Sequence, residues 1–357
     1  VDPGYRTEDV VAAAVELPPS RYPDMALQAD FFNEVMARVR EIPGVEAAGA
    51  VSYLPMSPIG TEFDMPFTVE GLDVSSPSQR PTAEYRAILP GYFEAMGMEL
   101  LQGRTIDAID GTDGSRVAIV NETVARRYFA DRDPIGQLIE MPMAGSTRII
   151  GVVSDIRHDG LGAEANPEMF VPYAQLPLSS MHLVLHAPGS ITEVVSALRS
   201  EILAVDPQQP VTRVNRMSEL VSDSVAPSRF NMALLLGLAG CAVLLSIVGV
   251  FGVVSYSVSM RTRELGVRLA IGAGAGEAVR LVLVQAGRVV LLGAAAGVLA
   301  SLALVPGIEA LLFGVEPLDP RTFVLAPLGL LVVAMTAAAI PAMRAGRIDP
   351  AITIRRE

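Results

Sequence analysis

Up to about Ser222, short runs of Val, Ile and Ala alternate with stretches in which apolar residues recur every three or four positions. That pattern predicts a mixed α+β domain rich in βαβ units. A strand is expected over 10–17 and a helix over 26–42, where Leu27, Phe31, Val35 and Val39 share one face. Pro43-Gly44 ends the helix, since proline cannot continue it and glycine tolerates the turn. A strand over 45–53 completes a βαβ-like opening. Further strands are predicted over 63–70, 82–89, 116–120, 148–153, 169–173, 181–186 and 211–214. Helices are predicted over 92–96, 121–129 and 192–205, with Asn121 as the N-cap of the second. Loops are expected over 54–60 and 107–115. Around 90–172 the strands shorten and the loops lengthen, which suggests a second lobe inserted into the first.

Beyond Phe230 the apolar runs become long and nearly free of charge. Segments near 231–259, 280–306 and 322–343 each exceed the ~20 residues that a helix needs to cross a bilayer. An all-α membrane domain of three transmembrane helices, 229–357, therefore follows the mixed domain, 1–228. Arginine placement orients it, because basic loops resist translocation. Arg261, Arg263, Arg268 and Arg280 follow the first span, and Arg344, Arg347, Arg355 and Arg356 follow the third. Glu309, Glu316 and Asp319 outnumber Arg321 between the second and third. Both basic segments face the cytoplasm, and the domain before Phe230 is extracytoplasmic. An exported domain needs something to export it, so a fourth spanning helix is expected ahead of Val1.

Charge follows the same division. Up to Ser228 there are 16 arginines against 32 carboxylates, and afterwards 11 against seven, so the two parts carry −16 and +4 of the net −12. Such an acidic outer domain disfavours nucleic acid as a partner. All 27 basic residues are arginine. Without lysine the chain cannot form a P-loop, whose lysine reaches the terminal phosphates, and Gly272-Ala273-Gly274-Ala275-Gly276 reads as a turn between helices. The single cysteine, Cys241, lies in the first span, so no disulfide can form within the chain. Candidate chemistry is sparse. Asp155, His158 and Asp159 cluster after a strand and could hold a metal, but their spacing fits a solvated turn better. His182 and His186 share a strand face without further ligands. No catalytic, cofactor-binding or metal residue is assigned.

Arg263-Glu264-Leu265-Gly266-Val267-Arg268-Leu269-Ala270-Ile271-Gly272-Ala273, two further spans, and the tail Pro341-Ala342-Met343-Arg344-Ala345-Gly346-Arg347-Ile348-Asp349-Pro350-Ala351 resemble the FtsX-type permease domain of ABC transporters. Upstream, Leu89-Pro90-Gly91-Tyr92-Phe93-Glu94-Ala95-Met96-Gly97, the stretch from Val120 to Phe129 and Asp133-Pro134-Ile135-Gly136 resemble the MacB-like periplasmic core domain. The whole is most similar to the duplicated orphan permeases of acidobacteria, in which this unit occurs twice.

The resemblance implies a multi-pass inner-membrane permease of the MacB/FtsX type, with four helices and a core domain between the first and second. It also implies a separate or fused ABC ATPase that binds the ATP, a second permease copy as homodimer or duplicated half, and a periplasmic partner. The mechanism it implies is mechanotransmission, used in the family for efflux or export of small molecules and peptides, lipoprotein release or activation of cell-wall hydrolases. The cytoplasmic segment 260–279, with Arg261, Arg263, Glu264, Leu265, Gly266, Arg268 and Gly272, is the expected ATPase-coupling element. Glu264 and Arg268 stand in the favourable order for an intrahelical pair. Gly293 and Gly297 form a GxxxG pair suited to close helix packing, within the subunit or across a dimer. Arg288 is an intramembrane charge that either snorkels to the cytoplasmic interface or pairs inside the bundle. The competing reading is a membrane-anchored sensory or ligand-binding protein with no energy source.

Overall fold

The computed structural model describes residues 2–57, 64–69, 80–111, 115–130, 132–141, 145–158, 164–262, 264, 267, 271, 274–308 and 320–345. The chain divides into two compact units, Val1–Pro227 and Ser228–Glu357.

Unit one begins with β1 (Val10–Glu16), α1 (Met25–Val39) and β2 (Ala47–Val51). The chain then forms β3 (Asp64–Pro66), β4 (Thr68–Val69), β5 (Thr82–Leu89), α2 (Tyr92–Met96), β6 (Leu100–Gly103), β7 (Val117–Asn121) and α3 (Glu122–Tyr128). It continues through β8 (Leu138–Met141), β9 (Gly145–Val153), β10 (Glu168–Pro172), β11 (Ser180–His186), α4 (Ile191–Val205) and β12 (Thr212–Arg216). All described strands join one sheet in the order β12-β1-β11-β2-β5-β10-β7-β9-β8-β4, with β3 on β5 and β6 on β9. The βαβ opening is split, because β11 lies between β1 and β2 and runs antiparallel to both.

Side-chain alternation explains why β1 reads as an unbroken apolar run. Ala13 and Val15 join one buried cluster with Leu183 and Leu185, whereas Val10 and Ala12 join another with Val184. Both faces of this part of the sheet are covered, so both sets of positions are apolar. Helices α1 and α4 supply Phe31, Phe32, Val35, Met36, Leu198 and Ile202 to the first cluster. Helix α2 supplies Tyr92, Phe93 and Met96 to the second. Fully burying a side chain such as Val35 contributes about 1.5–3 kcal/mol. The strands β5, β7, β9 and β10 carry a third cluster around Tyr85, Val120, Ile149 and Met169.

Glycine decides one contact. Strand β2 crosses so close to α2 that a Cβ on Gly49 would collide with the Tyr92 backbone nitrogen. Gly91, before α2, has φ +92°, a left-handed value that glycine adopts freely.

Local signals account for most element positions. Asn121 caps α3 as expected, its Oδ1 accepting from Val124 N at 3.0 Å. Two strands escaped the reading. In β6, Leu-Leu-Gln-Gly has no alternation because all four residues are exposed and β9 alone pairs with it. In β8, Leu-Ile-Glu-Met alternates, but over only four residues.

In unit two, α5 (Met217–Met260) runs on from unit one, followed by α6 (Ala275–Ile308) and α7 (Pro320–Ala345). Each contains a span long and apolar enough to cross a membrane: α5 itself, Val279–Leu304 and Phe323–Arg344. The buried cluster here is small: Val254, Val282, Ala286, Ala338 and Ala342.

Candidate functional site

Strand geometry assembles a charged group inside unit one. Glu84 and Arg86 are two residues apart on β5 and therefore share a face. Strand β10 runs parallel to β5 with Glu168 opposite Glu84, a like-charge pairing that is unfavourable by itself. Arg86 resolves it. Its Nε lies 2.6 Å from Glu168 Oε1, one Nη donates to Glu84 Oε2, and the other donates to Tyr53 O at 2.8 Å.

His158, from the segment after β9, closes the group. Its Nδ1 is 2.9 Å from the Arg86 Nη that meets Glu84, and its Nε2 is 2.6 Å from Glu168 Oε1 without hydrogen-bond alignment. Asn166 donates to Glu84 Oε1 at 2.8 Å, while Asn121 donates to Asn166 O and accepts from Glu168 N. Side-chain exposure is 6% for Arg86, 5% for Glu84, 0% for Glu168 and 7% for His158.

At that depth an unpaired charge would cost several kcal/mol. Burial opposes the charge on Glu168, but His158 and Arg86 outweigh it and hold the carboxyl below its ordinary range. Burial also opposes the Arg86 charge, and Glu168 and Glu84 outweigh it in turn, raising its pKa. Two buried oxygens beside the group, Glu168 Oε2 and the Tyr92 hydroxyl, have no hydrogen-bond partner among the described residues.

Ligand atoms of Glu84, His158 and Glu168 lie within 4.8 Å of one another, a spacing that could suit a cation. The guanidinium of Arg86 touches all three residues and already fills that role. The sequence-based grouping of Asp155, His158 and Asp159 does not form. Asp155 turns to α3, accepting from Thr123 N at 2.8 Å and Thr123 Oγ1 at 2.7 Å, and Asp159 lies outside the described residues. His182 and His186 have separate surroundings. His182 Nδ1 is 3.1 Å from Ser52 O, and burial is the main cause of its lowered pKa. His186 Nδ1 is 3.4 Å from Glu46 Oε2. The cluster had one legible signal, ionisable Glu84, Arg86 and Glu168 inside otherwise apolar strands.

Of segment 260–279, residues 260–262, 264, 267, 271 and 274–279 are described, whereas Arg263, Leu265, Gly266, Arg268 and Gly272 lie outside the described residues. Arg261 donates to Gln285 Oε1 at 3.1 Å, so the turn after α5 is tied to α6. A groove of about 800 Å³ follows these helices and is lined by Gly249, Val253, Gly293, Gly297, Phe323 and Leu330 among others. A Cβ on Gly293 or Gly297 would meet nothing within 4 Å. The Arg288 side chain is exposed and has no hydrogen bond or ion pair with another described residue.

Known proteins share both units. Residues 8–201 match the MacB-like periplasmic core domain and residues 236–350 match the FtsX-like permease C-terminal region. The macrolide export ATP-binding/permease protein MacB 1 of Aeromonas hydrophila is 30% identical over 287 residues, covering 74% of this chain and 42% of that protein. The macrolide export ATP-binding/permease protein MacB of Mannheimia succiniciproducens is 27% identical over 277 residues, with the same two coverages. The chain thus spans less than half the length of these curated relatives. The periplasmic region of MacB from Actinobacillus actinomycetemcomitans overlays 61% of this chain and 92% of its own, at 13% identity and a TM-score of 0.41. Three helices long and apolar enough to cross a membrane among the described residues, with the two matched regions, make this a multi-pass inner-membrane protein with a periplasmic domain. With a MacB-like periplasmic core over more than half its length and an FtsX-like region behind it, the chain belongs to the MacB/FtsX-type family of ABC transporter permeases.

Proposed function

We propose that ATP hydrolysis by a separate or fused ATPase is coupled through segment 260–279 to rearrangement of the periplasmic domain of this permease. The stroke would serve efflux or export of a small molecule, peptide or lipoprotein. One observation carries the reading: a periplasmic core and a permease region stand in tandem on one chain, with a basic segment between the first two spans. The chain contains no lysine, which supports leaving ATP binding to the ATPase. A second permease copy and a periplasmic partner complete the proposed assembly. Gly293 and Gly297, with open space beside them, offer a surface for close helix approach.

The test is co-purification. An ABC ATPase is expected to accompany the full-length protein from its native membrane, and the double charge reversal Arg263→Glu with Arg268→Glu is expected to weaken that association at least about tenfold, equivalent to about 1.4 kcal/mol. Association unchanged by the reversal would remove the coupling role from this segment. Recovery of the protein without any ATPase would favour a membrane-anchored ligand-binding protein with no energy source.

A further inference from the structure

Two positive charges of unit two lie within the depth of the membrane. Span Val279–Leu304 starts on the cytoplasmic side, where the basic loop before it belongs, and Arg288 stands about 13 Å inside at 1.5 Å per helical residue. Gln285, one turn nearer the cytoplasm, lies about 9 Å inside by the same measure. Arg261 donates to Gln285 Oε1 at 3.1 Å, so its guanidinium is drawn from the end of α5 to that depth. The hydrocarbon core is about 30 Å thick, and both charges fall in its cytoplasmic half.

Gln285 and Arg288 are three apart on α6 and are therefore neighbours on its surface, so the two guanidiniums flank one amide. An amide is neutral and compensates neither. Among the described residues Arg261 and Arg288 meet no carboxylate. A cation within hydrocarbon is costly and is ordinarily paired. Two of them side by side call for an anion.

The groove indicates what carries that anion. Arg261, Leu281 and Gln285 line its cytoplasmic end, and Val253, Val254 and Val289 line it farther in. Arg288, one turn from Gln285, stands at its rim. The lining is thus cationic at one end and mainly apolar beyond. Phosphate fits the first part, because guanidinium forks bind its oxygens in pairs, and an acyl chain fits the second. A phospholipid of the cytoplasmic leaflet has this polarity, and anionic lipids are held there by basic residues near the surface. A protein helix seated in the same place would have to bring its own carboxylate to this depth, where such residues are rare.

We propose that Arg261, Gln285 and Arg288 form a headgroup site for an anionic phospholipid of the cytoplasmic leaflet, with its acyl chain in the groove between α5, α6 and α7. The site takes the cytoplasmic half of the groove and leaves Gly293 and Gly297, more than two turns farther out on α6, for helix approach. Lipid held there would brace the turn after α5 against α6, at the start of segment 260–279. The site does not depend on ATPase coupling and is measured with no ATPase present.

The chain has no tryptophan, so Val253→Trp places a single fluorophore in the groove. The full chain carrying it is reconstituted in phosphatidylcholine bilayers, into which phosphatidylglycerol or phosphatidylcholine with brominated acyl chains is titrated as a contact quencher. Phosphatidylglycerol is expected to quench at a mole fraction at least about fivefold lower, the equivalent of about 1 kcal/mol for a single arginine. Adding Arg261→Gln with Arg288→Gln should abolish that preference and leave quenching by phosphatidylcholine unchanged. Arg229→Gln, toward the other end of α5, should leave the preference intact. Excess inorganic phosphate should not restore the fluorescence, since it has no chain to seat in the groove. Equal quenching by the two lipids would overturn the site, as would a preference that survives the double substitution or is lost in Arg229→Gln. So would a tryptophan that neither lipid quenches, which would mean that protein covers the groove, or fluorescence recovered with inorganic phosphate, which would make the ligand a free anion.

Discussion

In unit one, α1 turns Phe31, Phe32, Val35 and Met36 onto a sheet until Phe32 has no exposed surface. In unit two, α5 keeps Leu234, Leu235, Leu236, Leu244 and Leu245 outward, and Leu245 is 72% exposed. Charge divides the same way: Arg86 is buried among partners, whereas Arg288 stands exposed on its helix with none among the described residues. The difference identifies the solvent. Apolar side chains turn inward where water surrounds the domain, and they can remain outside where lipid does, because hydrocarbon tails are as apolar as leucine.

The strongest way to break this contrast is to exchange the roles of the two arginines. Arg86→Ala strands two buried carboxylates and should cost unit one about 3–5 kcal/mol in chemical denaturation of the full chain. Arg288→Leu should leave stability unchanged or raise it slightly. Equal losses would mean that the two environments are not distinct.

Truncating core and outward side chains sharpens the same comparison. Phe32→Ala should cost about 3–5 kcal/mol through the cavity it leaves, and Leu245→Ala less than about 0.5 kcal/mol in detergent. A large loss at Leu245 would place a protein partner on that face of α5.

Acid should act on unit one with the smallest effect per group. Asp110 is hydrogen-bonded by Arg104 and Glu168 lies beside His158 and Arg86, and both carboxyls sit below their ordinary values of 3.8 and 4.5. Groups with lowered pKa contribute full stability above the unfolded value and lose it as pH falls through the folded one. The β-sheet melting temperature should therefore drop most steeply below about pH 4. Asp110→Asn should flatten that drop slightly, since Arg104 is half exposed and solvent screens the pair. A decline centred instead near neutrality would mean that these two carboxyls do not control the acid transition.

Much of the fold was legible because its signals are local. The helix over 92–96 and the strand over 82–89 lie where composition and turns placed them. Asn121 was legible as a cap, but its second task, holding Asn166 and Glu168, was not, since those partners arrive through strand pairing. His158 was read with its neighbour Asp155 because nearness along the chain was the available measure. The fold sends Asp155 to α3 and His158 to β5 and β10.

Alone, the order of residues determined the three spans, their orientation and the mixed character of the outer domain. Hydrophobic period, run length and arginine placement are properties of neighbouring residues and survive without knowledge of what touches what. Tertiary structure alone decided that Glu84 stands opposite Glu168, that Arg86 balances them and that His158 closes the group. Those relations depend on the parallel register of β5 and β10 and on the path of the segment after β9, and a shift of one residue in either strand would turn that strand's members of the group to the other face.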